Sequence, residues 1–167
     1  MTPEEHIAAA LAGLDFPDDP EMANTPALVV GFLREFLPQR PPITSTLPTS
    51  STDPVLIAQM PYHSLCAHHL LPFFGECTIA YRPSGQLVGL GWFPRILECF
   101  ARRPQLQERL CASLADVVMA TLEPSAVVVK LTARQMCVEM RGTRSTGHFE
   151  VHARRGGADP ALDRLVL

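Results

Sequence analysis

The 167-residue chain is 47% hydrophobic and 19% charged, which suits a single folded domain with a substantial core. Its formal net charge of −3 offers no basic face for nucleic acid, and no apolar run approaches the ~18 residues of a membrane span. Five cysteines, an odd number, behind an N-terminus without a signal-peptide pattern indicate a reducing cytoplasm rather than a disulfide framework.

Two helices are predicted in the N-terminal part. Residues 3–14 carry apolar side chains at the spacing of a short amphipathic helix, which Pro17 closes. Thr25-Pro26 supplies an N-cap and a first-turn proline for a second helix, whose apolar face ends at Pro38. The segment 39–53 is rich in Pro, Ser and Thr, and is therefore predicted to be an irregular loop.

The rest of the chain alternates strands and helices in the order of an α+β fold. Two helices, at residues 94–100 and after Pro104, are predicted in its middle, and the apolar face of the longer one should lie on a small antiparallel sheet. The tail beyond residue 157 looks peripheral. The predicted strands are residues 55–60, 76–81, 86–90, 126–137 and 149–153.

Cys66 and His69 stand in a Cys-x-x-His spacing, which lets one turn of backbone direct a thiolate and an imidazole at a single zinc ion. The adjacent His68 diverges in direction and stays free to move protons near neutral pH. Two ligands are too few for a site, so ordinary histidines beside a buried cysteine explain the stretch better when it stands alone. A third ligand must come from elsewhere in the chain.

Cys137, at the end of the fourth predicted strand, is the candidate for that third ligand. Three protein ligands would leave a fourth coordination position for water, which is typical of catalytic zinc. The competing interpretation is a buried core cysteine. That interpretation suits the cysteines inside periodic apolar patterns better, namely Cys77, Cys99 and Cys111.

Other polar groups are less informative when each is taken alone. The polar segment 105–109 begins the longer helix where its free backbone N–H groups lie, and is explained by an exposed helix start. Single arginines are usually solvated charges. Together they could hold a phosphorylated ligand through bidentate contacts; they are Arg95, Arg102, Arg103, Arg141 and Arg144.

Several motifs occur together and in order: Cys66-Ala67-His68-His69, Gly89-Leu90, Arg95-Ile96, the run from Ala101 to Leu110, and Met136-Cys137 with Arg141-Gly142. Over about residues 25–144 these make the chain resemble GTP cyclohydrolase I. The resemblance implies the tunnelling fold, an α+β fold in which an antiparallel sheet carries two helices on one face, here preceded by N-terminal helices. It also implies a homo-oligomer, a decamer of two pentameric rings with active sites between subunits.

The resemblance further assigns roles to individual residues. It implies Zn²⁺ as cofactor, and a guanine nucleotide or related purine as ligand. His68 would donate or accept a proton, while Gln107 and Glu108 would read guanine. Arg95 and Arg141 would hold the triphosphate. The implied zinc ligands are Cys66, His69 and Cys137.

The resemblance also predicts a division into three parts. Residues 1–53 would hold the N-terminal helices and a Pro-rich linker. Residues 54–157 would form the catalytic domain, and residues 158–167 the peripheral tail.

Two positions depart from the family pattern. Gln135 stands where the family has a second catalytic histidine, and Trp92 stands where it has a phosphate-binding lysine. Glutamine cannot exchange a proton near neutral pH, and tryptophan cannot balance a phosphate charge. The function that the resemblance favours is a zinc-dependent hydrolase that hydrates C8 of a guanine nucleotide and opens the imidazole ring, which in the full reaction converts GTP to formate and 7,8-dihydroneopterin triphosphate. The alternative is a divergent paralogue that stops at a hydrated or formamide intermediate or takes another purine. A non-catalytic nucleotide-binding ring protein is the third interpretation.

Overall fold

The computed structural model describes residues 1–14, 16, 19–37 and 40–166. The predictions that fall on Pro17, Pro38 and Gln39 lie outside these residues. The chain divides into two compact units, Met1–Pro38 and Gln39–Leu167. The predicted three-part division stays a prediction. No helix in the described ranges is long and apolar enough to cross a membrane.

The first unit contains the two predicted helices, α1 (Pro3–Ala12) and α2 (Thr25–Phe36), with a 3₁₀ helix at Pro20–Asn24 between them. A capping box begins α1, because Thr2 Oγ1 accepts from the backbone N–H of Glu5 while the Glu5 carboxylate accepts from the N–H of Thr2. Helix α2 includes Thr25 instead of being capped by it. The residue at its N-cap is Asn24, whose side chain makes no capping bond.

The elements of the second unit are β1 (Thr46–Pro48), β2 (Val55–Cys66), β3 (Pro72–Arg82), β4 (Gln86–Val88), α3 (Trp92–Ala101), β5 (Pro104–Gln105), α4 (Gln107–Leu122), β6 (Ala126–Gln135), α5 (Met136–Glu139), β7 (Phe149–Gly156) and α6 (Pro160–Val166). Strands β1 and β4 form a two-stranded sheet, and the other strands form a five-stranded sheet in the order β5-β2-β3-β6-β7. All neighbours in the larger sheet are antiparallel except β5, which runs parallel to β2.

The main core lies between one face of the larger sheet and the helices α3 and α4. Helix α4 packs on β6 and β7, as its apolar periodicity predicted, and α3 packs on β2. Fully buried side chains fill the space between these layers, among them Phe73, Ile79, Phe93, Leu110, Leu114 and Leu131. Burial of such side chains stabilises the fold by about 1.5–3 kcal/mol each.

Two of the strand predictions are wrong in extent or pairing. The segment 39–53, predicted to be a loop, contains β1. Strand β4, predicted at residues 86–90, pairs with β1 and therefore belongs to a separate small sheet. The strand predicted at 55–60 continues to Cys66, because a bulge at Gln59, with φ of 56°, resets the register and lets pairing with β3 resume. Neither long-range pairing leaves a local signal in the sequence.

Strands β3 and β6 approach each other most closely at Gly75. A Cβ atom at this position would overlap the Thr132 carbonyl oxygen and come within 2.8 Å of the Ala133 Cα. Because only glycine fits there, Gly75 permits the ladder that aligns the ends of β3 and β6.

The tail beyond Gly157, expected to be peripheral, packs on the sheet as helix α6. Leu162 and Val166 are buried on the sheet face opposite α3 and α4, against Ala80 and Val128. Asp159 accepts from Arg82 at 2.5 Å, and this guanidinium lowers the carboxyl pKa. A short apolar stripe therefore anchors the tail.

Candidate metal centre and adjoining cavity

A tight turn at the end of β2 directs the first two candidate ligands. Cys66 is the last residue of the strand, and its backbone N–H donates to Leu71 O at 2.8 Å. Its carbonyl accepts from Leu70 N at 2.8 Å, and Leu70 adopts a left-handed conformation with φ of 54°. The turn thus folds back within four residues and carries His69 over the cysteine.

The third candidate ligand arrives from β6. Phe73 on β3 pairs with Gln135, the last residue of β6, and Cys137 follows in the short helix α5. The ligand atoms of Cys66, His69 and Cys137 all lie within 4.8 Å of one another. Cys66 is buried, Cys137 is half-buried and His69 is exposed, so the cluster opens to solvent on the histidine side.

The surroundings of Cys137 disfavour the ionisation of its thiol. Burial raises the pKa of the Cys137 thiol, and the hydrogen bond and charge of Cys66 raise it further, while Arg141 acts in the opposite direction. Two converging thiolates need a nearby cation. A zinc ion meets this need, because thiolates and imidazole are the ligands it prefers. The donor set therefore fits zinc.

His68 is exposed at the rim of the cluster. Its Nδ1 lies 3.9 Å from Cys66 Sγ, and its ring centroid lies 6.1 Å from that of His69. It is absent from the group whose ligand atoms converge. His63 is no substitute for a missing histidine, because it stacks on Phe74, which points to the sheet face opposite Phe73 and the cavity.

A cavity of about 340 Å³ adjoins the cluster. It is lined by Cys66, His68 and Cys137 on one side, and by the first residues of α4 on the other. Here Glu108 is exposed, whereas Gln107 is 4% exposed. The side chain of Gln135 also lines the cavity, and it donates through Nε2 to Gln107 Oε1 at 2.8 Å.

The predicted phosphate-binding residues do not join this cavity. Arg141 donates from Nη1 to His69 Nε2 at 2.9 Å, beside the cluster. Arg95 and Trp92 line a separate cavity of about 280 Å³ with β4. Trp92 is buried, and its indole N–H donates to Thr44 Oγ1 at 3.0 Å.

The sequence did not single out two polar residues that shape the site. Ser64 is fully buried and donates to Ala101 O at 2.7 Å, which ties β2 to the end of α3. Gln105 is 3% exposed, pairs in β5 with Cys66 and lines the cavity. Only its place in the polar segment 105–109 could have pointed to it.

The remaining cysteines lie in the core, as their periodic surroundings indicated. Cys77, Cys99 and Cys111 are all buried thiols. Burial raises the pKa of Cys111 to about 12 and also raises that of Cys77. Neither thiol is therefore a source of thiolate near neutral pH.

Comparison with known proteins places this arrangement in a family. The family model for GTP cyclohydrolase I matches residues 4–159. The chain is 38% identical over 149 residues to GTP cyclohydrolase 1 of Thermobifida fusca, covering 85% of this chain and 72% of the relative. It is 36% identical over 141 residues to the Lactiplantibacillus plantarum protein of the same name, covering 78% of this chain and 72% of the relative.

Other relatives match over a shorter stretch. GTP cyclohydrolase 1 of Geobacillus sp. is 48% identical over 94 residues, which cover 56% of this chain and 50% of the relative. A solved structure of the archaeosine synthase QueF-Like, in the apo form, superposes with a TM-score of 0.49 at 22% identity, over 66% of this chain and all of that one. The match of the family model over residues 4–159, together with the mainly antiparallel sheet that carries α3 and α4 on one face, shows that the chain belongs to the GTP cyclohydrolase I family and has its tunnelling fold.

Proposed function

We propose that this protein is a zinc-dependent hydrolase of the GTP cyclohydrolase I type. It hydrates C8 of a guanine nucleotide and opens the imidazole ring. The observation that carries this proposal is the convergence of Cys66, His69 and Cys137 beside a cavity. Glu108 is one of the residues that line this cavity. Family membership identifies the chain as an enzyme that acts on a cyclic amidine C–N bond.

The three side chains would hold zinc through two sulfur atoms and one ring nitrogen. Bound zinc would supply Lewis acidity, lowering the pKa of a coordinated water to about 7. Within the chain, the turn at Cys66 and the β3–β6 register hold these ligands in place. Arg141, next to His69, places a positive charge beside the site.

His68 is the proposed proton carrier. Ring opening at C8 breaks the bond to an imidazole nitrogen, and that nitrogen must gain a proton as it departs. An imidazole side chain exchanges protons near neutral pH. His68 lines the cavity and is not one of the three converging candidate ligands.

Glu108 is the proposed reader of guanine. A carboxylate only accepts hydrogen bonds, and guanine offers two parallel donors at N1–H and the 2-amino group. Glu108 is exposed in the first turn of α4, where the helix N-terminus favours negative charge. Adenine lacks this pair of donors, so the carboxylate selects against it.

Phosphate binding would rest on Arg95 and Arg141. Trp92 adds no charge, because indole is neutral, and its single N–H donor already bonds with Thr44. We therefore propose that a substrate with fewer phosphates than GTP, or with none, competes well. Weaker binding of the triphosphate favours a second candidate function. In it the protein is a paralogue that stops at a hydrated or formamide intermediate, or that takes another purine.

We also propose a cytoplasmic homo-oligomer, a decamer of two pentameric rings. Five cysteines, none of them in a disulfide among the described residues, support the reducing compartment, which cell fractionation would check. Strand β7 ends the larger sheet without a further partner among the described strands, and β5 covers only two residues of β2. Long open edges call for pairing with neighbouring copies.

The first prediction concerns the metal. Purified protein should carry one zinc per chain, and Cys137→Ala should lose most of it during dialysis against a mild chelator, because two ligands hold zinc poorly. Atomic absorption after dialysis measures the content. Cys99→Ala, which removes a buried cysteine outside the cluster, should retain the metal. Full zinc occupancy in Cys137→Ala would remove this residue from the ligand set.

The second prediction concerns assembly. Light scattering at micromolar concentration should give a mass near ten times the 18.3 kDa of the chain. The open strand edges described above supply the physical reason. A monomeric mass would contradict the ring proposal.

The third prediction concerns base selection. Glu108→Gln replaces one acceptor by a donor and should weaken GTP binding about ten-fold or more, while ATP binding changes little. Calorimetry on metal-stripped protein keeps turnover out of the measurement. Glu123→Gln, at the other end of α4, is the matched control. Equal GTP affinity in wild type and Glu108→Gln would assign Glu108 to the helix start alone.

The fourth prediction tests how far the reaction proceeds. Gln135 can orient water but cannot take its proton, so release of formate by a second hydration should be slow, and a hydrated or ring-opened formamide should accumulate. Product mass and formate are followed together for the wild type and Gln135→His, which should release formate faster.

Two other outcomes decide between the candidate functions. Rapid stoichiometric formate and a pterin product from the wild type would show that another group replaces the second histidine. An unchanged guanine absorption spectrum in metal-loaded protein would instead favour the non-catalytic ring protein.

A further inference from the structure

The Gln107 side chain is held on three sides by the fold. It is the first residue of α4 and is only 4% exposed. Its Nε2 donates to Leu131 O at 3.1 Å and to Phe149 O at 2.9 Å, on the neighbouring strands β6 and β7. Its Oε1 accepts from Gln135 Nε2 at 2.8 Å. Both amide protons of Gln107 are therefore used inside the protein.

These contacts fix the orientation of the Gln107 amide, which in turn fixes that of the Gln135 amide. Backbone carbonyls only accept, so the nitrogen of Gln107 must face Leu131 and Phe149, and its oxygen must face Gln135. That oxygen needs a donor, which turns the nitrogen of Gln135 toward it. The oxygen of Gln135 is left on the far side, where it accepts from the Cys137 thiol at 3.9 Å, a contact whose proton leaves when Cys137 binds a metal as thiolate.

Reversing either amide would be costly. It would set two donors or two acceptors face to face in a buried position, and leaving a buried polar group unsatisfied costs about 1–3 kcal/mol. At equilibrium that range corresponds to a preference of about five-fold to more than one hundred-fold for the observed orientation.

We propose that Gln107 is a positioning residue, which fixes Gln135 so that a hydrogen-bond acceptor faces the Cys66–His69–Cys137 cluster. The cluster then favours a ligand that donates, such as water or an N–H group, over an oxyanion such as a carboxylate or phosphate. The link to catalysis rests on the proposed function, in which that water is the one added at C8.

This role differs from the one that the resemblance assigned to Gln107. A residue with both amide protons donated to backbone carbonyls has none left for a purine. Reading of the base then falls to its exposed neighbour Glu108. Gln107 acts on the site only through Gln135.

Gln105 supplies a matched control. It is a second buried glutamine, 3% exposed, and it also lines the cavity. Its Nε2 donates to Phe100 O, and its Oε1 accepts from the backbone N–H of Leu106 and from the guanidinium of Arg109. None of these partners belongs to the Gln107–Gln135 pair. Gln105→Met removes a buried amide of the same kind without touching the orientation of Gln135.

The test uses cobalt(II)-substituted full-length protein, with affinity measured by competition with a chromogenic chelator and the visible absorption spectrum recorded. Gln107→Met and Gln135→Met should each weaken cobalt binding about ten-fold, since partners that orient a metal site typically contribute 10-fold to 100-fold. The double variant should be no weaker than the singles, and all three should share one altered spectrum. Gln105→Met should keep the wild-type spectrum and an affinity within about two-fold.

Additive losses in the double variant, or a wild-type spectrum in Gln107→Met, would overturn the proposal. Gln107→Asn replaces Gln107→Met if the latter does not fold, because it keeps an amide but is one methylene too short to reach all three partners. GTP turnover is measured on the same samples. Coupled cobalt effects without turnover would contradict the proposed function alone, whereas turnover with uncoupled effects would contradict the positioning role alone.

Discussion

The register of three antiparallel strands brings the chemistry of this protein together. Leu65 pairs with Pro72, and Phe73 pairs with Gln135, so the ends of β2 and β6 meet at the start of β3. A slip of one residue would turn every side chain of β6 to the opposite face and carry Gln135 away from the cavity. The close approach at Gly75 admits no side chain, which makes this register specific to the sequence.

The same edge of the sheet brings together two thiols, an imidazole and a guanidinium. Burial and the neighbouring Cys66 raise the pKa of the Cys137 thiol, and the guanidinium of Arg141 donates to an imidazole instead of a carboxylate. A bound cation would stabilise two thiolates at such a site. Next to it, the half-buried Gln135 donates to the buried amide of Gln107, and the remaining acceptor, the Gln135 oxygen, lies 3.9 Å from Cys137 Sγ. A fixed acceptor beside a soft metal site is suited to orienting a water molecule.

The sequence predicted what depends on local pattern. Apolar periodicity placed α4 on the sheet, and the Cys-x-x-His spacing identified the turn at Cys66. Cys137 could be proposed from its place at a strand end, although its distance from Cys66 depends on pairing between residues far apart in sequence. The β1–β4 pair, the extension of β2 past its bulge and the buried amide of Gln107 were not predictable, because each depends on such distant partners.

The central claim is that two cysteines and one histidine hold zinc with a position left for water, and X-ray absorption at the zinc edge tests it most directly. The account predicts two sulfur neighbours at about 2.3 Å and two nitrogen or oxygen neighbours at about 2.0–2.1 Å. A shell of four sulfurs, or one of nitrogen and oxygen alone, would contradict it.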